Sequence, residues 1–110
     1  MKVQFHVSQM GRSYIDAFLK DLPIRDRAEI LAVFADIQQH GLSAIGCQFR
    51  QIEGKLWEIK IRTSGGGWRF FYVMIGPDLM HVLHAYKKQG QKAPKKELEV
   101  ANKRLKEILE

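Results

Sequence analysis

Three cationic side chains surround one glycine-rich turn in the stretch KIRTSGGGWRFFY, residues 60–72. Lys60 and Arg62 precede the turn and share one face of a predicted strand, because side chains two residues apart point the same way. Arg69 follows the turn and can approach them if the register of the two strands allows it. Close cations repel one another and contribute little to folding, so the cluster indicates a site for an anion.

Lys60 and Arg62 also allow a structural interpretation. Charged strand faces are common at a wet surface, and Glu53 or Glu58 could pair with the two cations. Taken alone, this strand is equally compatible with an anion site and with a solvated face.

Arg69 stands between Trp68 and Phe70, and no other charged residue follows it before Asp78. Burying a guanidinium group without a partner is costly, so either a carboxylate meets Arg69 or its side chain opens into a groove. We favour the groove, because such charged residues are associated with functional sites.

His84 and Tyr86 add groups that can transfer a proton. They share one face of a predicted strand, immediately before Lys87 and Lys88. A histidine titrates near neutral pH, and a phenol beside cations is a second candidate. Alternatively, Tyr86 packs its ring with its hydroxyl at the surface and His84 is a structural residue; for His84 this alternative is slightly favoured.

Lysine is abundant from residue 87 to residue 106. Part of this charge belongs to the wet face of an amphipathic helix. The preceding loop KKQGQK, however, carries Lys87, Lys88 and Lys92 among polar and small residues, which suits contacts to a phosphate backbone.

Residue types needed for several other chemistries are missing from the sequence. The four histidines have no spacing typical of a metal site, and a single cysteine forms neither an internal disulfide nor a cysteine zinc cluster. That residue, Cys47, has no nearby histidine or basic pair, so we expect a packing role. Nucleotide-binding glycine motifs and a Ser-His-Asp order are absent. We predict neither a metal nor another cofactor.

Length and charge limit the possible classes of protein. A chain of 110 residues is expected to form a single domain, residues 1–110. Its net charge of +6 points to an anionic partner, namely nucleic acid, an acidic protein or a membrane surface. The apolar runs are shorter than the ~20 residues of a membrane helix, and the start lacks the apolar segment of a signal peptide. We therefore expect a cytoplasmic protein without a membrane partner.

Hydrophobic periodicity predicts the elements that position these side chains. Alternation over residues 2–7 predicts a strand, and helical spacing predicts helices over residues 13–22 and from Ile24 to Gly41. The apolar positions assigned to the second helix are Ile24, Ala28, Leu31, Phe34, Ala35 and Ile37.

From Gln48 onward the apolar period is two. Strands are predicted over residues 56–62, 68–75 and 79–86, with turns at 63–67 and 76–78. The strand at 68–75 is apolar on both faces and is therefore predicted to be central. Pro94 fits the first turn of a last helix, whose inner positions are Leu98, Ala101, Leu105 and Ile108.

The predicted fold class is α+β with one sheet. Its order is an N-terminal strand, two helices, a three- to four-stranded antiparallel meander and a C-terminal helix. Periodicity alone does not assign a function to this fold.

A set of motifs resembles the RelE superfamily of bacterial toxins, especially the HigB branch related to phage-derived proteins. The motifs are GKLWEIKIR, WRFFY, LHAYKKQGQKAP and ANKR, and the resemblance covers about residues 50–105. It implies a RelE-like fold and a metal-independent endoribonuclease that cuts mRNA in the ribosomal A site. In that reaction the 2′-hydroxyl attacks the adjacent phosphodiester, and cations stabilise the charge that accumulates on phosphorus.

The resemblance also assigns residues. Arg69 matches the arginine of the family's RxxY strand, and Lys60 and Arg62 match basic positions before the turn. Lys60 stands where arginine is more frequent, Tyr86 where phenylalanine is usual, and Gln89 where a second lysine is common. Because the general base varies among family members, Tyr86 and His84 remain candidates. The expected catalytic residues are Arg69, Lys60, Arg62, Tyr86 and His84, and the expected RNA-binding residues are Lys87, Lys88, Lys92 and Lys95, in a basic loop that leads into Pro94.

Such toxins are neutralised by a cognate antitoxin, commonly a helix-turn-helix protein, here expected to be HigA-like. The expected function is that of a toxin of a type II toxin–antitoxin system. The alternatives are a non-catalytic relative that binds RNA or antitoxin, for example as a corepressor, and a phage accessory protein that keeps only the fold.

Overall fold

A computed structural model describes residues 1–109 of the chain. No helix within those residues has both the length and the apolar character that crossing a membrane requires. In chain order the elements are β1 (Lys2–Phe5), α1 (Tyr14–Lys20), α2 (Ile24–His40), a short 3-10 helix (Gly41–Ser43), β2 (Gln48–Glu53), β3 (Leu56–Thr63), β4 (Gly66–Ile75), β5 (Leu79–Lys87) and α3 (Lys95–Leu109). The predicted α+β class and element order are confirmed, and the fold is compatible with a RelE-like one.

The five strands form one sheet in the order β1-β5-β4-β3-β2. Strands β2 to β5 are the predicted antiparallel meander, whereas β1 pairs with β5 in parallel. The middle position belongs to β4, as its two apolar faces predicted. Phe70 and Phe71 show why, because they are fully buried on opposite faces of that strand.

Strand β1 is shorter than the predicted range of residues 2–7. It ends at Phe5, and Val7 makes only an isolated bridge to Ser13. The chain turns back at this point, since the backbone N–H of Ser8 donates to the carbonyl of Arg12.

Helices α1 and α2 cover one face of the sheet. The helical residues Ile15, Leu19, Ile30 and Phe34 pack with strand residues that include Phe70 in the larger of two apolar cores. The Ser13 side chain caps α1 by accepting from the backbone N–H of Asp16 at 3.3 Å.

The apolar residues whose spacing predicted α2 do not all lie on its buried face. Phe34 and Ile37 are buried, but Ile24 and Leu31 are 75% and 45% exposed, and Ala28 and Ala35 are exposed too. The inward face instead carries Asp26, Ile30, Phe34 and Ile37. A buried aspartate takes one position of the inward face, so the apolar spacing alone does not mark that face.

Helix α3 covers part of the opposite face and packs against β5. Its predicted inner positions are confirmed, because Ala101 is buried and Leu98, Leu105 and Ile108 pack on the second apolar core. That core includes Leu83 and Tyr86 of β5. Beyond α3, the ends of β3 and β4 that meet at their hairpin line an open groove on this face.

Candidate functional site

Strand register brings three of the predicted site residues into one row. Arg69 of β4 lies opposite Lys60 of β3 on one side and opposite Tyr86 of β5 on the other. Arg62 lies opposite Gly67, nearer the hairpin turn. The expectation that Arg69 approaches Lys60 is therefore confirmed.

The hairpin turn is tighter than the predicted five residues. Thr63 pairs with Gly66, which leaves only Ser64 and Gly65 in the turn. Buried Asp26 of α2 fixes it by accepting from the Thr63 hydroxyl at 2.6 Å and from the backbone N–H of Gly65 at 2.8 Å. Helix α2 thus determines where the ends of β3 and β4 lie.

Two adjoining cavities of about 400 and 460 Å³ form a groove on the α3 side of this hairpin. They share Lys60, Arg69 and Lys88 in their walls. Within residues 1–109, no carboxylate side chain lines either cavity. We call this surface the basic groove; its cations are Arg50, Lys60, Arg62, Arg69, Lys88 and Lys92. An excess of one charge in a concave surface attracts anions.

Beside these cations Glu58 is completely buried. Its Oε1 lies 2.9 Å from Nη2 of Arg50 and 3.5 Å from Nε of Arg69. Its Oε2 accepts a hydrogen bond from the Tyr86 hydroxyl at 3.0 Å. One carboxylate therefore orients two guanidinium groups and a phenol, and these partners offset the cost of burying its charge.

Arg69 combines the two alternatives that its sequence context left open. A carboxylate does meet it, and its side chain, 10% exposed, also lines both cavities. Because Nε faces Glu58, the terminal Nη groups remain for an anion in the basic groove.

Lys60 and Arg62 do not form the ion pairs of the structural interpretation. Among the described residues 1–109, neither has a carboxylate oxygen within 4.0 Å. Glu58 pairs with arginines, and Glu53 accepts from the Asn102 amide at 3.0 Å. The two cations therefore contribute unneutralised charge to the basic groove.

Tyr86 is buried, and its hydroxyl is not at the surface. Burial raises the pKa of Tyr86, the charge of Glu58 and the hydrogen bond to it raise this pKa further, and Arg69 and Arg50 oppose the shift. The phenol therefore stays protonated near neutral pH, and it can give a proton but not take one.

His84 lies against α3 and is not among the residues that line the basic groove. Its Nδ1 is 3.1 Å from Nη1 of Arg104, and its Nε2 is 2.9 Å from Oε1 of Glu97. Arginine only donates, so Nδ1 accepts and Nε2–H donates to Glu97. Burial lowers the pKa of His84, the charge of Arg104 adds to this, and Glu97 opposes it. These contacts favour the structural interpretation of His84.

The basic loop divides between the two faces of the sheet. Lys88 and Lys92 line the basic groove. Lys87 points to the other face, where its Nζ lies 5.6 Å from the centroid of the Trp68 indole. Lys95 is exposed at the start of α3 and does not line the groove. The structure therefore places two of the four expected RNA-binding lysines together with three of the five catalytic candidates, Lys60, Arg62 and Arg69.

Arg50 and Glu58 are the site residues that the sequence analysis missed. Arg50 faces Glu58 across the β2–β3 pair, and its Nε is buried without a hydrogen-bond partner among the described residues. The sequence carries a signal for Arg50, because Gln48, Arg50 and Ile52 are spaced two residues apart along β2 and therefore share one face of that strand.

Cys47 packs at the edge of the larger core, in agreement with its predicted role. Burial, helped by the charge of Asp36, raises its pKa to about 11, so the thiol stays protonated. Within residues 1–109, no group of three or more His, Cys, Asp or Glu side chains is placed to hold a metal ion.

Comparison with known proteins supplies a family. The family model described as Phage derived protein Gp49-like (DUF891) matches residues 17–106, a range that contains every cation of the basic groove. No curated protein matches the chain. The family is associated with RelE-like toxin–antitoxin proteins, which are generally endoribonucleases paired with an antitoxin. Since the match covers most of its length, the chain belongs to the Gp49-like family of phage-derived proteins, a RelE-type toxin family.

Proposed function

We propose that the chain is the toxin of a type II toxin–antitoxin system, of the HigB-like kind. It inhibits translation in the cytoplasm by cutting mRNA in the ribosomal A site, and it uses no metal or other cofactor. The observation that carries the proposal is the basic groove, in which six cations gather beside one buried carboxylate.

In the proposed reaction the 2′-hydroxyl oxygen of one nucleotide attacks the adjacent phosphorus atom and loses its proton. The bond from phosphorus to the 5′-oxygen breaks, and that oxygen gains a proton, which leaves a 2′,3′-cyclic phosphate and a 5′-hydroxyl. Additional negative charge develops on the phosphoryl oxygens in the transition state. Arg69, Lys60 and Arg62 stabilise this charge from the wall of the groove.

Proton transfer is assigned to Tyr86 and His84 in unequal roles. Tyr86 stays protonated, so the role open to it is that of the acid, and it donates to the leaving oxygen only if its buried hydroxyl leaves Glu58. His84 acts as a base only if it leaves its contacts with Glu97 and Arg104.

RNA is held chiefly by Lys88 and Lys92, which contact phosphates inside the basic groove. Lys87 and Lys95 contact phosphates only beyond it. The cognate antitoxin is a HigA-like helix-turn-helix protein whose acidic surface complements the basic face of the toxin.

Arg69 provides the decisive test. We expect induction of the chain alone to arrest growth, co-expression of its antitoxin to restore growth, and Arg69→Ala to remove the arrest. In single-turnover cleavage on ribosomes, Arg69→Ala lowers the rate by roughly 10²-fold or more, about 3 kcal/mol, because the lost contact forms chiefly in the transition state. Arg69→Lys restores the rate only in part, since a point charge does not replace the planar fork.

Arg25→Ala is the matched control, because Arg25 is exposed on α2 and pairs with Glu29 one turn away. It should leave both arrest and cleavage unchanged. Thermal melts of all three variants separate lost catalysis from lost folding. Undiminished cleavage by a folded Arg69→Ala protein would remove Arg69 from the active site.

A second candidate is a relative that binds RNA or antitoxin without cutting, as a corepressor or a phage accessory protein. The observation that favours it is the state of the proton-transfer candidates: the Tyr86 hydroxyl is bonded to Glu58, and both ring nitrogens of His84 have partners. Normal growth on induction of soluble, folded protein that still binds RNA would support this candidate over the toxin.

A further inference from the structure

The cavity of about 400 Å³ at one end of the basic groove has two unlike walls. One wall is cationic and includes Lys60, Arg62, Arg69 and Lys88. The facing wall is uncharged and runs from the loop before β2 into that strand, through Ile45, Gly46, Cys47 and Gln48. The proposed cleavage chemistry uses only the cationic wall, so the uncharged one has no assigned role.

Ile45 is the prominent apolar group of the uncharged wall. Its side chain is 94% exposed at the edge of the cavity. A single exposed isoleucine is ordinary on a protein surface. Here it lines a cavity together with Cys47, whose side chain packs against the larger core. Ile45 therefore supplies the apolar lip beside the cations.

Gln48 adds hydrogen-bonding capacity to the same wall. It lies opposite Lys60 in the β2–β3 register and is exposed. Its amide offers both a donor and an acceptor. Among residues 1–109 this side-chain amide has no hydrogen-bond partner, so it is available to a ligand.

The two cavities of the basic groove share three cations and differ in their other residues. Lys60, Arg69 and Lys88 lie between them, whereas the second cavity is completed by Arg50, Gln91 and Lys92 and has no apolar lip. Cations flanked by a cavity on each side match a phosphodiester with a nucleoside on each side. An acidic peptide also pairs with cations. It does not, however, place a flat, hydrogen-bonding ring on each side of the anionic group, as a phosphodiester between two nucleosides does.

We propose that the cavity bounded by Ile45, Cys47 and Gln48 is a nucleobase subsite. One face of the base packs on Ile45, its edge hydrogen-bonds to Gln48, and the adjoining phosphate is held by Arg69 and Lys88. Ile45 and Gln48 are then specificity-determining residues of the groove. This inference rests on the proposed function, because it requires that the groove bind RNA.

The test uses short 2′-O-methyl oligonucleotides, which lack the attacking hydroxyl and cannot be cut by the proposed reaction. Homopolymers of each of the four bases are compared with an abasic oligomer that has the same number of phosphates, at one fixed salt concentration. We expect wild-type protein to bind at least one base-bearing oligomer about tenfold more tightly than the abasic one, the factor that burial of an isoleucine side chain supplies.

Three variants distinguish the contribution of the uncharged wall to binding from that of the cationic wall. Ile45→Ala should remove most of the tenfold factor, and Gln48→Ala should reduce the differences among the four bases, while both keep wild-type affinity for the abasic oligomer. Lys88→Ala should instead weaken every oligomer to the same extent. Thermal melts check folding, and the exposure of Ile45 makes its replacement structurally mild.

Each contrary result has its own meaning. Equal binding of base-bearing and abasic oligomers by wild-type protein, or variants that keep the difference, would overturn the nucleobase subsite and leave the proposed function standing. Absence of binding to every oligomer, with binding to polyglutamate instead, would overturn the nucleobase subsite and assign the cavity to an acidic protein partner, whereas the proposed function is decided separately by the cleavage assay on ribosomes.

Discussion

Glu58 is the single residue on which the most groove contacts depend. Its two oxygens face Arg50, Arg69 and Tyr86, and none of its own surface reaches solvent. Removal of one member of a buried ion pair leaves the partner charge uncompensated, which is more costly than the net gain from forming the pair. Glu58 therefore links the folding of the sheet to the geometry of the cations.

Glu58→Gln keeps the shape of the side chain but removes its charge. We expect the free energy of unfolding to fall by roughly 3–5 kcal/mol, because two guanidinium groups lose their anionic partner. Urea titration followed by tryptophan fluorescence measures the change.

Tyr86→Phe is the matched comparison, since it removes one hydrogen bond to Glu58 and leaves both arginines paired. It should cost less, about 1–3 kcal/mol. If the two substitutions were equally destabilising, the charge of Glu58 would contribute nothing beyond that hydrogen bond.

Alternation along a strand could predict part of this site and not the rest. It placed Lys60 and Arg62 on one face, and it placed Arg69 close to them once the strands paired. It could not show that Glu58, on the same face as those cations, is buried, because burial depends on Arg50 from another strand and on the register of three strands. The composition of the basic loop does not show which face each lysine occupies, so it could not predict that Lys87 turns toward Trp68.

At the scale of elements, the β3–β4 hairpin is positioned by α2. Asp26 of the helix holds Thr63 and Gly65, and Thr63 in turn accepts from Nε1 of Trp68 at 2.6 Å. Position 65 also requires glycine for space, because a Cβ atom there would lie 2.5–2.8 Å from the carboxylate of Asp26. The groove edge is thus fixed by a contact on the opposite side of the sheet.

Gly65→Ala should therefore destabilise the protein by roughly 1–3 kcal/mol, as overpacking of a close contact does. Gly90→Ala is the control, because a Cβ atom at that position meets nothing within 4 Å. Thermal or urea unfolding of both variants measures the difference. A Gly65→Ala protein as stable as the control would mean that Asp26 moves aside without cost.

The same aspartate explains why the spacing of apolar residues does not mark the buried face of α2. Sequence periodicity located the helix almost residue for residue, but Ile24 and Leu31 of that pattern are exposed. A helical pattern counts apolar residues, and it does not anticipate a buried carboxylate that is satisfied by a distant turn. Element existence and order were predictable here, while helix orientation depended on a tertiary hydrogen bond.

For the whole molecule, two partly buried histidines make stability depend on pH. Burial, with the nearby charge of His6, lowers the pKa of His81, and the pKa of His84 is lowered as described above. His6 Nδ1 lies 3.0 Å from His81 Nε2, and its Nε2 lies 2.9 Å from Glu107 of α3. The two histidines with a lowered pKa both lie on β5; His81 connects it to the region of β1, and His84 connects it to α3.

The direction of this pH dependence follows from the number of protons that the folded and the unfolded chain bind. Below pH 6.5, the ordinary pKa of histidine, the unfolded chain binds protons that His81 and His84 do not bind in the folded protein. Stability therefore falls as the pH drops. We expect the melting temperature to be constant above about pH 7.5 and to decrease between pH 6.5 and pH 5. A double variant, His81→Gln with His84→Gln, should show a shallower decrease, whereas His40→Gln, at an exposed helix end, should not. An unchanged slope in the double variant would contradict this account.

Strand order also sets a sequence of events during synthesis. Within residues 1–109, β1 pairs only with β5, and the contacting residues His6 and His81 are 75 positions apart. At 5–20 residues per second, a ribosome needs roughly 4–15 s between these two residues. During this time β1 has no strand to pair with, and the basic groove is incomplete until Lys92 has emerged from the ribosome. A protein proposed to cut mRNA on translating ribosomes thus lacks a complete site while most of its own chain is being synthesised.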